Sequence, residues 1–101
     1  MKKLNLTLKK EWFDMILIGE KTEEYREIKD YWIKRLLDAD GFHKKYDRVI
    51  FKNGYSATAP TIEIEFKGLS CGTAKSEWSG NWKGDVFIIK LGKIISTANC
   101  R

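Results

Sequence analysis

The stretch Gly19-Glu20-Lys21-Thr22-Glu23-Glu24-Tyr25-Arg26 links an apolar run, Trp12-Phe13-Asp14-Met15-Ile16-Leu17-Ile18, to a second amphipathic run. Gly19 tolerates the left-handed backbone that closes a helix, so a helix is expected to end there. Beyond it two paths are open. An extended chain puts Glu20, Thr22, Glu24 and Arg26 on one face and Lys21, Glu23 and Tyr25 on the other. A chain that bends back into a helix lets Lys21 approach Arg26. A solvated charged turn is the plain reading of such a sequence, because most charged residues lie exposed. The sharper reading is a cleft walled by Lys21, Glu24, Arg26 and one glutamate from a later strand.

The pattern Gly19-x-Lys21-x-x-Glu24-x-Arg26 after a short apolar helix resembles the G-x-K-x-x-x-x-R motif of the ASCH domain, a small relative of the PUA fold. The likeness covers nearly the whole chain: the preceding helix, the length of 101 residues and a β-rich second half. It implies one ASCH/PUA-like domain over residues 1–101, with helices packed on a small barrel and the motif lining a cleft between them.

Composition sets the bounds. A chain of this length buries roughly two thirds of its unfolded surface, enough for one core. The apolar fraction of 43% and the four Trp, five Phe and four Tyr exclude a disordered composition. No apolar run approaches the ~18 residues of a membrane span, and Met1-Lys2-Lys3-Leu4-Asn5-Leu6 does not read as a signal peptide. A cytoplasmic protein with no membrane contact is expected. Cys71, Cys100 and the single His43 lack metal-ligand spacing, so free thiols, no metal and no cofactor are expected. The net charge is +5. Residues 1–30 are balanced, with seven basic and seven acidic side chains, whereas residues 31–60 hold six against three and residues 61–101 six against four. The excess of positive charge suits an anionic partner such as nucleic acid.

Along the chain, Leu4, Leu6 and Leu8 alternate within Lys3–Lys9, which predicts a half-buried strand. A mostly buried helix follows from Lys10 to Ile18, with Trp12, Met15 and Ile16 at helical spacing as core. Ile28, Trp32 and Leu36 predict a second amphipathic helix over Asp30–Ala39, closed by Asp40-Gly41. His43 reads as a surface residue. Asp47–Lys52 reads as a strand, 53–60 as a loop carrying Tyr55 as a stacking group, and Thr61–Lys67 as the clearest strand, with Glu63 and Glu65 on its outer face. Cys71–Gly84 reads as a loop. Its Trp78 and Trp82 either cover an open end of the core or form a stacking wall for a base, where stacking is worth ~1–3 kcal/mol. Asp85–Leu91 is a buried strand, Gly92 a bulge or bend, Lys93–Ser96 its continuation, and 97–101 a frayed tail. The order gives an α+β fold, a small PUA-like β-barrel or curled mixed sheet with two or three flanking helices.

Two function classes follow. In the first, a binding module, Gly19, Thr22, Arg26, Lys52, Tyr55, Trp78 and Trp82 hold single-stranded RNA or a nucleoside or nucleotide, with Lys21 a charged clamp. In the second, an enzyme, the resemblance extends to small bacterial acetylcytidine amidohydrolases with an ASCH-like fold. In those the motif lysine is proposed as base, a threonine three positions later as nucleophile and a strand glutamate as its partner. Lys21 matches the lysine, but position 24 is glutamate and Thr22 lies one residue after the lysine. The strand glutamate is Glu63 or Glu65, Glu65 preferred. Lys21, Glu24 and Glu65 are then the catalytic candidates, with Glu24 orienting a water or accepting a proton. The resemblance also allows a ribonuclease that uses the RNA 2′-hydroxyl as nucleophile, without a metal. The oligomeric state is not readable from these residues.

Overall fold

The computed structural model describes residues 1–100. Strand β1 (Lys3–Thr7) leads to helix α1 (Lys10–Leu17), strand β2 (Glu23–Glu27), helix α2 (Asp30–Leu36), and strands β3 (Arg48–Lys52), β4 (Thr61–Thr73) and β5 (Asp85–Ala98), with a single 3₁₀ turn at Ser76–Trp78. The strands form one mixed sheet in the order β1-β3-β4-β5-β2. Only β1 and β3 run parallel, and the other neighbours are antiparallel. The fold is α+β, with two helices on a curled half-barrel, as the sequence order implies.

The alternation in β1 is realised: Leu4 and Leu6 are buried and Lys3, Asn5 and Thr7 exposed. Phe13 and Ile16 of α1 and Leu36 of α2 join Val49, Phe51, Ile62, Ile64, Phe87 and Ile89 in one core. Each such side chain removed from water contributes about 1.5–3 kcal/mol. Helix α1 ends as its glycine predicts. Gly19 has φ +81°, and the N–H groups of Glu20 and Lys21 donate to the Met15 carbonyl at 2.9 and 3.0 Å.

The curl comes from β4 and β5. Their register slips between Glu63 and Ile64, between Ile64 and Phe66, and between Phe66 and Gly68. The second slip opposes two steps of β4, Ile64 to Phe66, to three steps of β5, Ile94 to Leu91, and so places a bulge at Gly92-Lys93. The glycine expected to mark a bulge does so.

Several boundaries differ from expectation. Residues 23–27 are extended, which decides the open choice in favour of the strand. Helix α2 stops at Leu36, not Ala39, because Leu37 bridges to His43. Strand β4 runs on to Thr73, so Cys71–Thr73 is strand and not loop, and its pairing with β5 continues from Leu69↔Ile89 to Thr73↔Asp85. The tail is not frayed through residue 98: Thr97 and Ala98 pair with Ile62 and Thr61. Cys100 is packed against the core, with its Sγ 3.6 Å from the Thr61 carbonyl oxygen.

Candidate ligand cleft at the open seam

Strands β1 and β2 lie at opposite ends of the sheet, so the half-barrel does not close by strand pairing. Side chains close it instead. The Arg26 guanidinium donates from Nη2 to the Thr7 carbonyl of β1 at 3.2 Å and from Nη1 to the Tyr25 carbonyl of β2 at 2.9 Å. Arg35 of α2 donates from Nη2 to the Asn5 carbonyl at 3.1 Å. The Lys21 ammonium donates to the Glu23 carbonyl at 2.5 Å. An exposed row of strand carbonyls needs partners, and here four of them are met by three cations.

Behind this seam lies a buried ionic triad. Lys21 and Glu24 are 1% and 4% exposed. Lys21 Nζ donates to Glu24 Oε1 at 2.7 Å, and Arg26 Nη1 donates to Glu24 Oε2. Burial lowers the Lys21 pKa from the usual lysine value; the charge and hydrogen bond of Glu24 oppose this without cancelling it. The ammonium also lies 5.1 Å from the Tyr25 ring centre and 5.8 Å from that of Trp12. The Tyr25 hydroxyl donates to Glu23 Oε1 at 2.7 Å and accepts from the Lys75 N–H at 3.2 Å, fastening the loop after β4 to β2. Burial, aided by Glu23, pushes its pKa up to about 12.

In front of the seam is a cleft of about 530 Å³. Asn5–Lys9 form one wall and Glu24–Glu27 the other. Tyr31, Trp32 and Arg35 of α2, Trp12 of α1, Trp78, Ser79 and Trp82 of the loop, and Tyr55 complete it. All four tryptophans of the chain converge on this cleft. The Arg26 and Arg35 guanidinium carbons lie 5.0 and 5.2 Å from the Trp32 ring centre, and Tyr31 meets Trp32 edge-on at 4.7 Å.

The residues singled out in the sequence divide into two groups. Glu24, Arg26, Tyr55, Trp78 and Trp82 line the cleft, and Lys21 stands directly behind Glu24. Gly19, Thr22, Lys52 and Glu65 do not line it. Gly19 is the helix cap. Thr22 is exposed, and its carbonyl accepts from the Leu91 N–H at 3.0 Å. Lys52 is exposed at the end of β3, beside Thr7 and Thr61. Glu65 accepts from the Lys93 N–H at 2.8 Å, which lowers its pKa, and faces Lys67 at 3.7 Å. Glu63 pairs with Lys3 and Arg48 at 3.4 and 3.5 Å. No strand glutamate therefore joins the motif, because β4 is the middle strand of five and its outer face carries these pairs. Trp12, Trp32, Tyr31, Arg35 and Lys9 escaped the sequence reading. Aromatic residues at helical spacing look like core, and Trp12 and Trp32 are indeed half-buried.

Among the described residues, no three His, Cys, Asp or Glu side chains converge as a metal-binding set, and no helix is long and apolar enough to cross a membrane. No family model matches the chain, and neither a curated protein nor a solved structure matches it.

Proposed function

We propose that this chain is an ASCH-type binding domain that seats a base of single-stranded RNA, or a nucleoside or nucleotide, in the seam cleft. The observation that carries this reading is the convergence of all four tryptophans, with Tyr31 and two guanidinium groups, on one cleft between two strand edges. Flat aromatic walls stack a base of any sequence. The side-chain polar groups of Asn5, Thr7 and Ser79 border the cleft and can meet the edges of the base; the Asn5 and Thr7 carbonyls are taken by Arg35 and Arg26. Lys21 is a positioning residue in this reading: it holds Glu24 and touches no ligand. The free thiol Cys71, which is exposed, supports a cytoplasmic setting.

A second reading, hydrolysis of a modified nucleoside such as acetylcytidine or cleavage of RNA, draws support from Glu24, a buried carboxylate at the cleft wall. Glu24 would orient a water, or take the proton of a 2′-hydroxyl. Against it, both Glu24 oxygens already accept hydrogen bonds from cations. Titration of the intrinsic tryptophan fluorescence with nucleosides and with single-stranded RNA tests the first reading, and saturable quenching is expected. Chromatography of the same mixtures tests the second: product from acetylcytidine or RNA that disappears in a Glu24→Gln variant shown by circular dichroism to be folded would establish it and displace pure binding.

A further inference from the structure

We propose that the turn between α2 and β3, residues 38–45, is a second nucleic-acid contact, so that the ligand is a single-stranded polynucleotide and not a free nucleoside. This rests on the base-binding reading of the cleft. The turn borders an open hollow of about 740 Å³ walled by Lys2, Asp38, Phe42, His43, Lys44 and Lys45. Phe42 is 71% exposed there, an aromatic ring standing in water among lysines. Two of the neighbouring carboxylates are occupied by backbone: Asp38 Oδ1 accepts from the N–H groups of Asp40 and Phe42 at 2.9 and 3.0 Å, and Asp47 Oδ2 from the Lys2 N–H at 2.8 Å. Asp38, Asp40 and Asp47 are all exposed and keep their charge. Among the described residues, no carboxylate lies within 4.0 Å of the Lys2, Lys44 or Lys45 ammonium groups.

The two sites share the last turn of α2. Lys44 donates its backbone N–H to the Leu36 carbonyl and its ammonium to the Lys34 carbonyl, both at 2.9 Å. Arg35, between those residues, lines the cleft. Strand β1 also connects them, with Lys2 at the hollow and Asn5–Leu8 at the cleft. At ~3.3 Å per residue the separation is on the order of 15 Å, which one nucleoside cannot span and a few nucleotides can. The charge argument points the same way. Lys21, Arg26 and Arg35 hold the seam together through internal acceptors, so the phosphates of a strand must find other cations. Lys2 and Lys45, whose ammonium groups meet no carboxylate in the described residues, supply them, and Phe42 offers a face for a neighbouring base.

The test uses the double variant Phe42→Ser/Lys45→Glu, two exposed positions whose change leaves the core untouched. Its affinity for a labelled mixed-sequence RNA of about a dozen nucleotides is measured by anisotropy at several salt concentrations, and its nucleoside affinity by tryptophan fluorescence. RNA affinity is expected to fall about tenfold or more, with a salt slope shallower by about one and nucleoside affinity unchanged. Unchanged RNA affinity and slope would overturn the second contact and leave the base cleft standing. Equal loss of RNA and nucleoside binding would also overturn it, because the turn would then act through the cleft. A wild-type protein that binds neither ligand removes the base-binding reading and this inference together.

Discussion

Lys21 shows how far a residue's role depends on its burial. Its motif position suggests a clamp or base at the ligand, but its ammonium points into the protein, onto Glu24 and the Glu23 carbonyl. Removing one member of a buried pair strands the other, at a cost of about 3–5 kcal/mol. Lys21→Met is therefore expected to lower the melting temperature sharply by circular dichroism, and Lys21→Met/Glu24→Leu to recover part of the loss; a single variant that melts with the wild type would show that the pair carries no weight. Tyr25 gives a pH signature. Its folded pKa of about 12 lies above the ordinary value of 10.0, so the folded state keeps a proton that the unfolded state releases. The resulting stabilisation is complete below about pH 10 and is lost as the pH rises towards 12. Wild type minus Tyr25→Phe in an alkaline absorbance titration should isolate a tyrosinate that forms late. A difference curve centred at the ordinary tyrosine value would contradict the buried, Glu23-bonded hydroxyl.

At the scale of elements, Gly92 sits in the bulge of β5. A Cβ there would lie 2.7 Å from Lys67 Cε, 2.8 Å from Glu65 Oε1 and 3.0 Å from Glu65 Cβ. The lysine end can swing away, but Glu65 is fixed by its bond to the Lys93 N–H. Gly92→Val is expected to cost about 1–3 kcal/mol in urea denaturation; an unchanged midpoint would mean that the bulge tolerates a side chain. The elements with a clear period were legible in the sequence: β1 from three alternating leucines, α1 from its apolar run and capping glycine, β3, the first half of β4, and β5 through Ser96. Strand β2 carried no such pattern, because Glu23-Glu24-Tyr25-Arg26-Glu27 is an edge strand whose one buried residue is a charged member of a triad. The far half of β4, with Gly68, Ser70 and Gly72, looks like loop in isolation and is held by its long pairing with β5. Of the cleft lining, Glu24, Arg26, Tyr55, Trp78 and Trp82 were singled out from the sequence. The aromatic contributions of Trp12 and Trp32 were not, since a helix gives the same spacing to a core residue and to a cleft wall.

At the scale of the whole molecule, a half-barrel leaves two strand edges to be satisfied, and this one meets them with the cations of its motif and of α2, leaving a cleft with tryptophan walls. In the proposed binding reading, the net charge of +5 serves approach and phosphate contact outside the cleft, an effect that weakens with salt. Base binding in that cleft is the central claim. Its most direct test follows the four indole N–H resonances during titration with a nucleoside. The account predicts that the signals of Trp12, Trp32, Trp78 and Trp82 move along one saturable curve, and that Trp82→Ala weakens binding by about 1–3 kcal/mol. Indole signals that stay fixed up to the highest nucleoside concentration would contradict it.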